Sequence, residues 1–377
     1  PKLLFYDQPL PIRLLICLLL PQARDVCRHH PFYCAFTITR TQNNLKSRSR
    51  ESPSRVKLQN LDQKEALMPQ PDDTAEILVE LHRGPFAESQ HRGHAVVVDH
   101  AGTILGAWGD PSKIILPRSS SKMIQALPLI ESGAADHFGL SQAQLALSCA
   151  SHNGAKVHTD MVAAWLDHLG LQEADLRCGP QMPDDRAARE NLIKCDCAPD
   201  QGHNNCSGKH SGFLTLNKHL GGGSEYIEAD HPVQKAVLEA FEDVTGETSA
   251  GYGIDGCSAP NFACSLLGLG RAMARYAGAN PDGAAREAAM AKLHRAMATH
   301  PILVAGEGRA CTDLMAAMGG RVAVKTGAEA VFVAIIPEKK IGIALKIEDG
   351  GTRASEAVIT QLLIGAGVLD ANSPVTK

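Results

Sequence analysis

Three short stretches bring together hydroxyls and amines at spacings that can do acyl-transfer chemistry. "PRSSSK" sets Ser119 and Lys122 three residues apart at a helix start, "ASHNG" contains Ser151-His152-Asn153, and "VKTGAEAVF" contains Lys325-Thr326-Gly327. On a helix, positions i and i+3 share a face, so the Lys122 amine can approach the Ser119 hydroxyl. A free-base lysine beside a serine activates an otherwise poor nucleophile. The positive end of the helix helps to keep that amine neutral and supplies N–H donors to an oxyanion. S-x-x-K alone is weak, because three serines also make a good N-cap, and Ser54-x-x-Lys57 matches equally. S-x-x-K, S-x-N and K-T-G in that order are the three elements of penicillin-recognising serine enzymes.

A fourth stretch, "QGHNNCSGKHSGFL" (201–214), is not a P-loop. Five residues rather than four separate Gly202 from Gly208, and His210 rather than Ser or Thr follows Lys209. Cys206, Cys195, Cys197, His203 and His210 keep a metal reading open, although the C-x-C pair matches no structural zinc spacing.

These residues sit on a chain of 377 residues with 44% apolar and 21% charged residues and a net charge of −4. Such a balance gives no reason to expect nucleic acid, and the length is enough for a sizeable core. The charge is uneven. Residues 1–67 hold 11 Lys/Arg against 5 Asp/Glu, and residues 68–377 hold 26 against 36. The first segment therefore reads as a basic, disordered or artefactual extension, with a single domain over 68–377. Its apolar run "LLICLLL" has seven residues, far short of the ~20 a membrane span needs. Irregularly spaced cysteines argue for reduced thiols and a cytoplasmic protein, with no membrane partner.

To position the motifs, strand patterns at 74–84, 94–102 and 104–110 precede a long helical region, and three more strands follow within 320–350 before a last helix at 355–369. Short turns join the strands, which predicts an α+β fold: one antiparallel sheet built from both ends of the domain around a helical middle. Cys149, Cys264 and Cys311 fall in helical patterns and are expected in the core.

From about Thr74 to Leu369 the chain resembles the rhizobial-type L-asparaginases of the asparaginase II family. The resemblance rests on "HRGHAVVVD", "PRSSSK" with "QALPLIESGAAD", "ASHNG", "HNNCSGKHSGFL", "GIDGCSAP" and "KTGAEAVF". It implies a β-lactamase-like serine hydrolase fold, a homodimer, and hydrolysis of the side-chain amide of L-asparagine. It also implies two Ser–Lys pairs, Ser119–Lys122 and Ser151–Lys325; the helix-start position of Ser119, with N–H donors nearby, favours it as the nucleophile. A Zn2+ site is implied at Cys206, Lys209 and Cys257, with Asp255 nearby. Asp255, Asn153 and His152 are the candidates to contact the substrate or to support the residues that do, and His152 is equally compatible with a solvated position. The competing expectations are a penicillin-binding, β-lactamase-type or glutaminase acyl hydrolase, and a catalytically silent zinc-binding module.

Overall fold

A computed structural model describes residues 11–13, 35–37 and 74–376. The expectation for residues 1–67 otherwise lies outside the described residues. Its described part is two three-residue strands, Pro11–Arg13 and Ala35–Thr37, of which the first pairs with the outer edge of the main sheet.

The main sheet draws on both ends of the domain, as the pattern predicts. Its strands are β1 (Glu76–Arg83), β2 (Phe86–Asp99), β3 (Ile104–Trp108), β4 (Ala323–Gly327), β5 (Val331–Ile336) and β6 (Ile341–Ile347). The order is β4-β5-β6-β2-β1, with β3 also paired to β2, and every pairing is antiparallel. The central seam joins β2 to β6, with Val96 opposite Ala344. Val331–Ile336 and Ile341–Leu345 are buried without interruption. Because side chains alternate between the two faces of a strand, neither face of these strands is open to water.

The helices that matter to the site are α1 (Lys122–Gln125), α2 (Lys156–His168), α3 (Arg186–Lys194), α4 (Ser207–Leu220), α5 (Pro232–Thr245), α6 (Leu266–Gly278), α7 (Ala285–Thr299) and α8 (Thr352–Gly365). α6 and α8 both pack on β5 and β6. α6 lies close to the sheet because two glycines allow it. A Cβ on Gly270 would press on Val96 and Val98, and one on Gly342 would fall on the backbone of Met273 and Ala274. The helical pattern broken by Pro128 resolves into three short helices, Lys122–Gln125, Leu127–Glu131 and Ala134–His137. Cys149, Cys264 and Cys311 are all buried, but Cys264 lies on a two-residue strand rather than a helix. No helix among the described residues is long and apolar enough to cross a membrane.

Candidate active site

The three motifs converge. Gly327 at the end of β4 lies against the turn that carries the serines, so closely that a Cβ there would meet Pro117 O and Ser120. This places K-T-G beside S-x-x-K, and the buried stems of Lys122 and Lys325 then reach one hydroxyl from two sides. Ser151 Oγ lies 3.0 Å from Lys122 Nζ and 2.9 Å from Lys325 Nζ. Lys122 also donates to Ala150 O at 2.5 Å and to Cys206 Sγ at 3.1 Å, and Lys325 donates to Thr326 O at 2.8 Å. Burial lowers the Lys325 amine to about 7, aided by the neighbouring Lys122 and Arg309 charges and opposed by Cys311. A buried ammonium lacks water, so its neutral form is favoured.

Ser119 occupies a single 3-10 turn, Arg118–Ser121. Ser120 Oγ is tied to Pro117 O and Ser121 Oγ to Arg118 O. Ser119 is half-buried, and among the described residues its hydroxyl has no hydrogen-bond partner. The expected Ser119–Lys122 hydrogen bond is therefore not formed; the lysine reaches Ser151 instead.

The turn is clamped from outside by Asn261, which no motif reading singled out, and by the expected site residue Asp255. Arg118 has φ +53°, unusual for a non-glycine residue. Buried Asn261 holds it by accepting from Arg118 N (3.0 Å) and donating to Arg118 O (3.3 Å). The Arg118 guanidinium donates twice to Asp255 Oδ1, at 3.0 and 2.7 Å. Asp255 thus sits at the rim beside Ser119, in the tight turn closed by Asp255 N to Ala259 O. The sequence signal for Arg118 was its adjacency to the serines. For Asn261 there was none.

His152 and Asn153 build the loop rather than face the reacting hydroxyls. His152 Nδ1 accepts from Gly154 N, so Nε2 carries the proton and donates to Ser207 Oγ at 2.9 Å. Burial holds this imidazole well below its ordinary pKa, and the stacked His158 ring adds to the effect. Asn153 Oδ1 accepts from Ala155 N, and its backbone oxygen accepts from Asp185 N.

Cys206, Lys209 and Cys257 are brought together as expected. Cys206 caps α4, Lys209 follows one turn later, and Cys257 arrives on the 255–259 turn, 2.9 Å from Lys209 Nζ. All three are buried. The neighbouring Cys206 thiol and Lys209 hold Cys257 well below the ordinary thiol range, whereas Cys257 and burial push Cys206 well above it. Burial lowers the Lys209 pKa, but the two sulfurs outweigh it and raise the amine. Buried His210 also adjoins Cys257, and among the described residues its Nε2 has no hydrogen-bond partner within reach. Two thiols and an amine suit a thiophilic divalent cation with one position left open. Among the described residues no three His, Cys, Asp or Glu side chains gather as a metal site. Cys195 and Cys197 stand apart from it, joined to each other as a disulfide, which departs from the expectation of thiols throughout.

Among solved structures, the chain is similar to a beta-lactamase from Mycobacterium bovis, with 12% identity over 74% of this chain and 95% of that one and a TM-score of 0.38. A class C beta lactamase from Rhodobacter sphaeroides shares 14% identity over 72% and 95%, with a TM-score of 0.38. Mglu in its tris and glutamate form shares 12% over 76% of this chain and 62% of that one, with a TM-score of 0.42. No curated protein matches the chain. The family model described as L-asparaginase II matches residues 79–376, which takes in all four serine and lysine positions and the cysteine–lysine cluster, and the chain belongs to that family.

Proposed function

We propose that the protein is an L-asparaginase, acting through a Ser–Lys acyl-enzyme in which Lys325, Ser151 and Lys122 form a proton relay behind Ser119. The observation that carries this reading is one buried hydroxyl within 3.0 Å of two lysine amines, one of them lowered to about 7. Ser119 is the attacking hydroxyl. It is the one serine of its turn not tied to backbone, it is partly open to solvent, and it lies one turn before Lys122. Its proton passes to the relay, the side-chain amide carbon becomes a β-aspartyl ester, and ammonia leaves with a proton returned from the relay. Water then hydrolyses the ester with the same amine as base.

Arg118 and Asp255 beside Ser119 offer one cation and one carboxylate. They complement the α-carboxylate and α-ammonium of an amino acid, which supports asparagine over an uncharged amide. Cys206, Lys209 and Cys257 would hold Zn2+ once deprotonated, and the ion would supply Lewis-acid polarisation of a substrate polar group. A homodimer and a cytoplasmic location belong to the same proposal.

Ammonia release from asparagine, glutamine and succinamate, alongside nitrocefin turnover, tests the reading. Asparagine should lead, with succinamate poor because it lacks the ammonium that Asp255 recognises. Nitrocefin hydrolysis without ammonia from any amide would replace it with a β-lactamase-type enzyme. A second reading makes Ser151 the nucleophile, favoured by its existing contacts with both amines. Acid-quenched enzyme distinguishes the two by whether the aspartyl ester is found on the Ser119 or the Ser151 peptide.

A further inference from the structure

The Cys195–Cys197 pair takes no part in the chemistry above, and its placement follows from how α3 ends. Asp196 N donates to Ile193 O and Cys197 N to Leu192 O, the paired bonds of a Schellman cap. Asp196 takes the left-handed conformation that the cap requires, with φ +53°. That turn sets the Cα atoms of Cys195 and Cys197 5.2 Å apart, within the range a disulfide spans. Both residues are exposed, whereas Cys149, Cys178, Cys206, Cys257, Cys264 and Cys311 are buried. Among the described cysteines this pair is the reactive one by access alone.

The segment that carries it is fastened to the catalytic loop at both ends. Asp185 N donates to Asn153 O at 2.8 Å, and His152 N donates to Asn205 O at 3.2 Å. Residues 185–205 thus form a strap whose two ends grip the residues that follow Ser151. Within the strap α3 is the lightly held part, burying a single side chain, Leu192, whereas Gln201 and Asn204 are hydrogen-bonded to Glu173, Cys178 and Gly179. A segment with so little buried apolar contact opens locally more easily than the core.

We propose that Cys195 and Cys197 form a reversible dithiol–disulfide site that exchanges with low-molecular-weight disulfides, and that its closed form pins the last turn of α3 within the strap beside Ser151. One cysteine thiolate attacks a sulfur of the small disulfide, forming a mixed disulfide and expelling one thiolate. The second cysteine thiolate attacks the protein-side sulfur, expels the other small thiolate and closes the ring. Two protein thiols are oxidised, one small disulfide is reduced to two thiols, and the two protein protons end on the released thiols. The pair sits at the negative end of α3, the opposite of the helix N-terminal placement that activates thiols. It therefore exchanges as an ordinary dithiol and reports the surrounding thiol–disulfide balance.

The test uses the full chain equilibrated in glutathione buffers of graded reduced-to-oxidised ratio, alkylated and mapped by peptide mass. The Cys195–Cys197 peptide should pass from two alkylated thiols to one internal disulfide across the series, while the six buried cysteines remain thiols. Native samples are nicked with trypsin at Lys194 in parallel. Closing so small a ring restricts the opened segment, so cleavage should be on the order of tenfold slower in the oxidised protein. Cys195→Ser and Cys197→Ser should each cleave at one rate in every buffer. A pair that stays dithiol, stays disulfide, or carries glutathione without closing at every ratio overturns the exchange site. Equal cleavage of the two states overturns the pinning.

Discussion

Replacing Lys325 by methionine tests the state of the buried amine apart from catalysis. The wild-type amine lies at about 7 against an ordinary 10.5. Between those values the unfolded chain binds more protons than the folded one, so this group makes wild-type stability rise with pH from about 7 to about 10.5. Below about 7 both states carry the proton and the contribution is flat. The methionine variant lacks the group entirely, so its stability difference from wild type must shift by about 2 kcal/mol in favour of the wild type between pH 7 and pH 9. The hydrogen bonds lost to Ser151 and Thr326 offset the difference equally at both pH values and drop out of the shift. Denaturant unfolding of both proteins at pH 7, 8 and 9 reads it directly. In the kinetics, wild-type kcat/KM should rise tenfold per pH unit below about 7 and level off above. An ordinary lysine would be neutral in only roughly one molecule in three thousand at pH 7. A stability difference unchanged within about 0.5 kcal/mol from pH 7 to 9 would mean that the amine is not perturbed, and the relay would lose its base.

Ser119→Ala, Lys122→Ala and Ser151→Ala should each lower kcat by about three or more orders of magnitude in folded protein, with the Ser119/Ser151 double variant far from additive; near-normal turnover in Ser119→Ala removes it as nucleophile. Asp255→Asn should raise KM for asparagine by about tenfold or more while changing kcat less, because a charge-assisted contact is worth about 1.5–3 kcal/mol. Purified protein should carry about one zinc per chain by elemental analysis. The occupancy should fall with decreasing pH, as two thiols and an ammonium must deprotonate to bind, and full occupancy in a Cys206→Ala/Cys257→Ala variant would show the ligands to be wrong. Gly342→Ala should cost about 3 kcal/mol in unfolding experiments, because its Cβ meets the backbone of α6 rather than a side chain that can turn aside.

Where periodicity or turn chemistry fixes an element, the sequence was readable. The β2–β3 hairpin, the three late strands and α8 fall where their patterns put them. α6, "LLGLGRAMARYAG", carries three glycines within an otherwise helical pattern. The structure shows what Gly270 is for, a helix lying directly on the sheet. At the site, residue types and order revealed which side chains gather but not which atoms touch. Three-residue spacing puts Ser119 and Lys122 on one face, yet a four-carbon stem inside the core can satisfy its amine wherever acceptors lie. Here those are Ala150 O, Ser151 Oγ and Cys206 Sγ. Asn261 and the Arg118 clamp follow from backbone geometry 143 residues apart in the chain, which no local pattern encodes.

The seam between β2 and β6 pairs Val96 with Ala344, 248 residues apart. At synthesis rates of about 5–20 residues per second, the first strand waits roughly 12–50 s for its partner to be made. Until then β2 is an apolar strand with an unmatched edge, a hazard for association with other nascent chains. Lys325 lies on the hairpin that precedes β6. The relay amine is therefore delivered by the same late strands that close the sheet, and a chain truncated before them keeps its serines without their base.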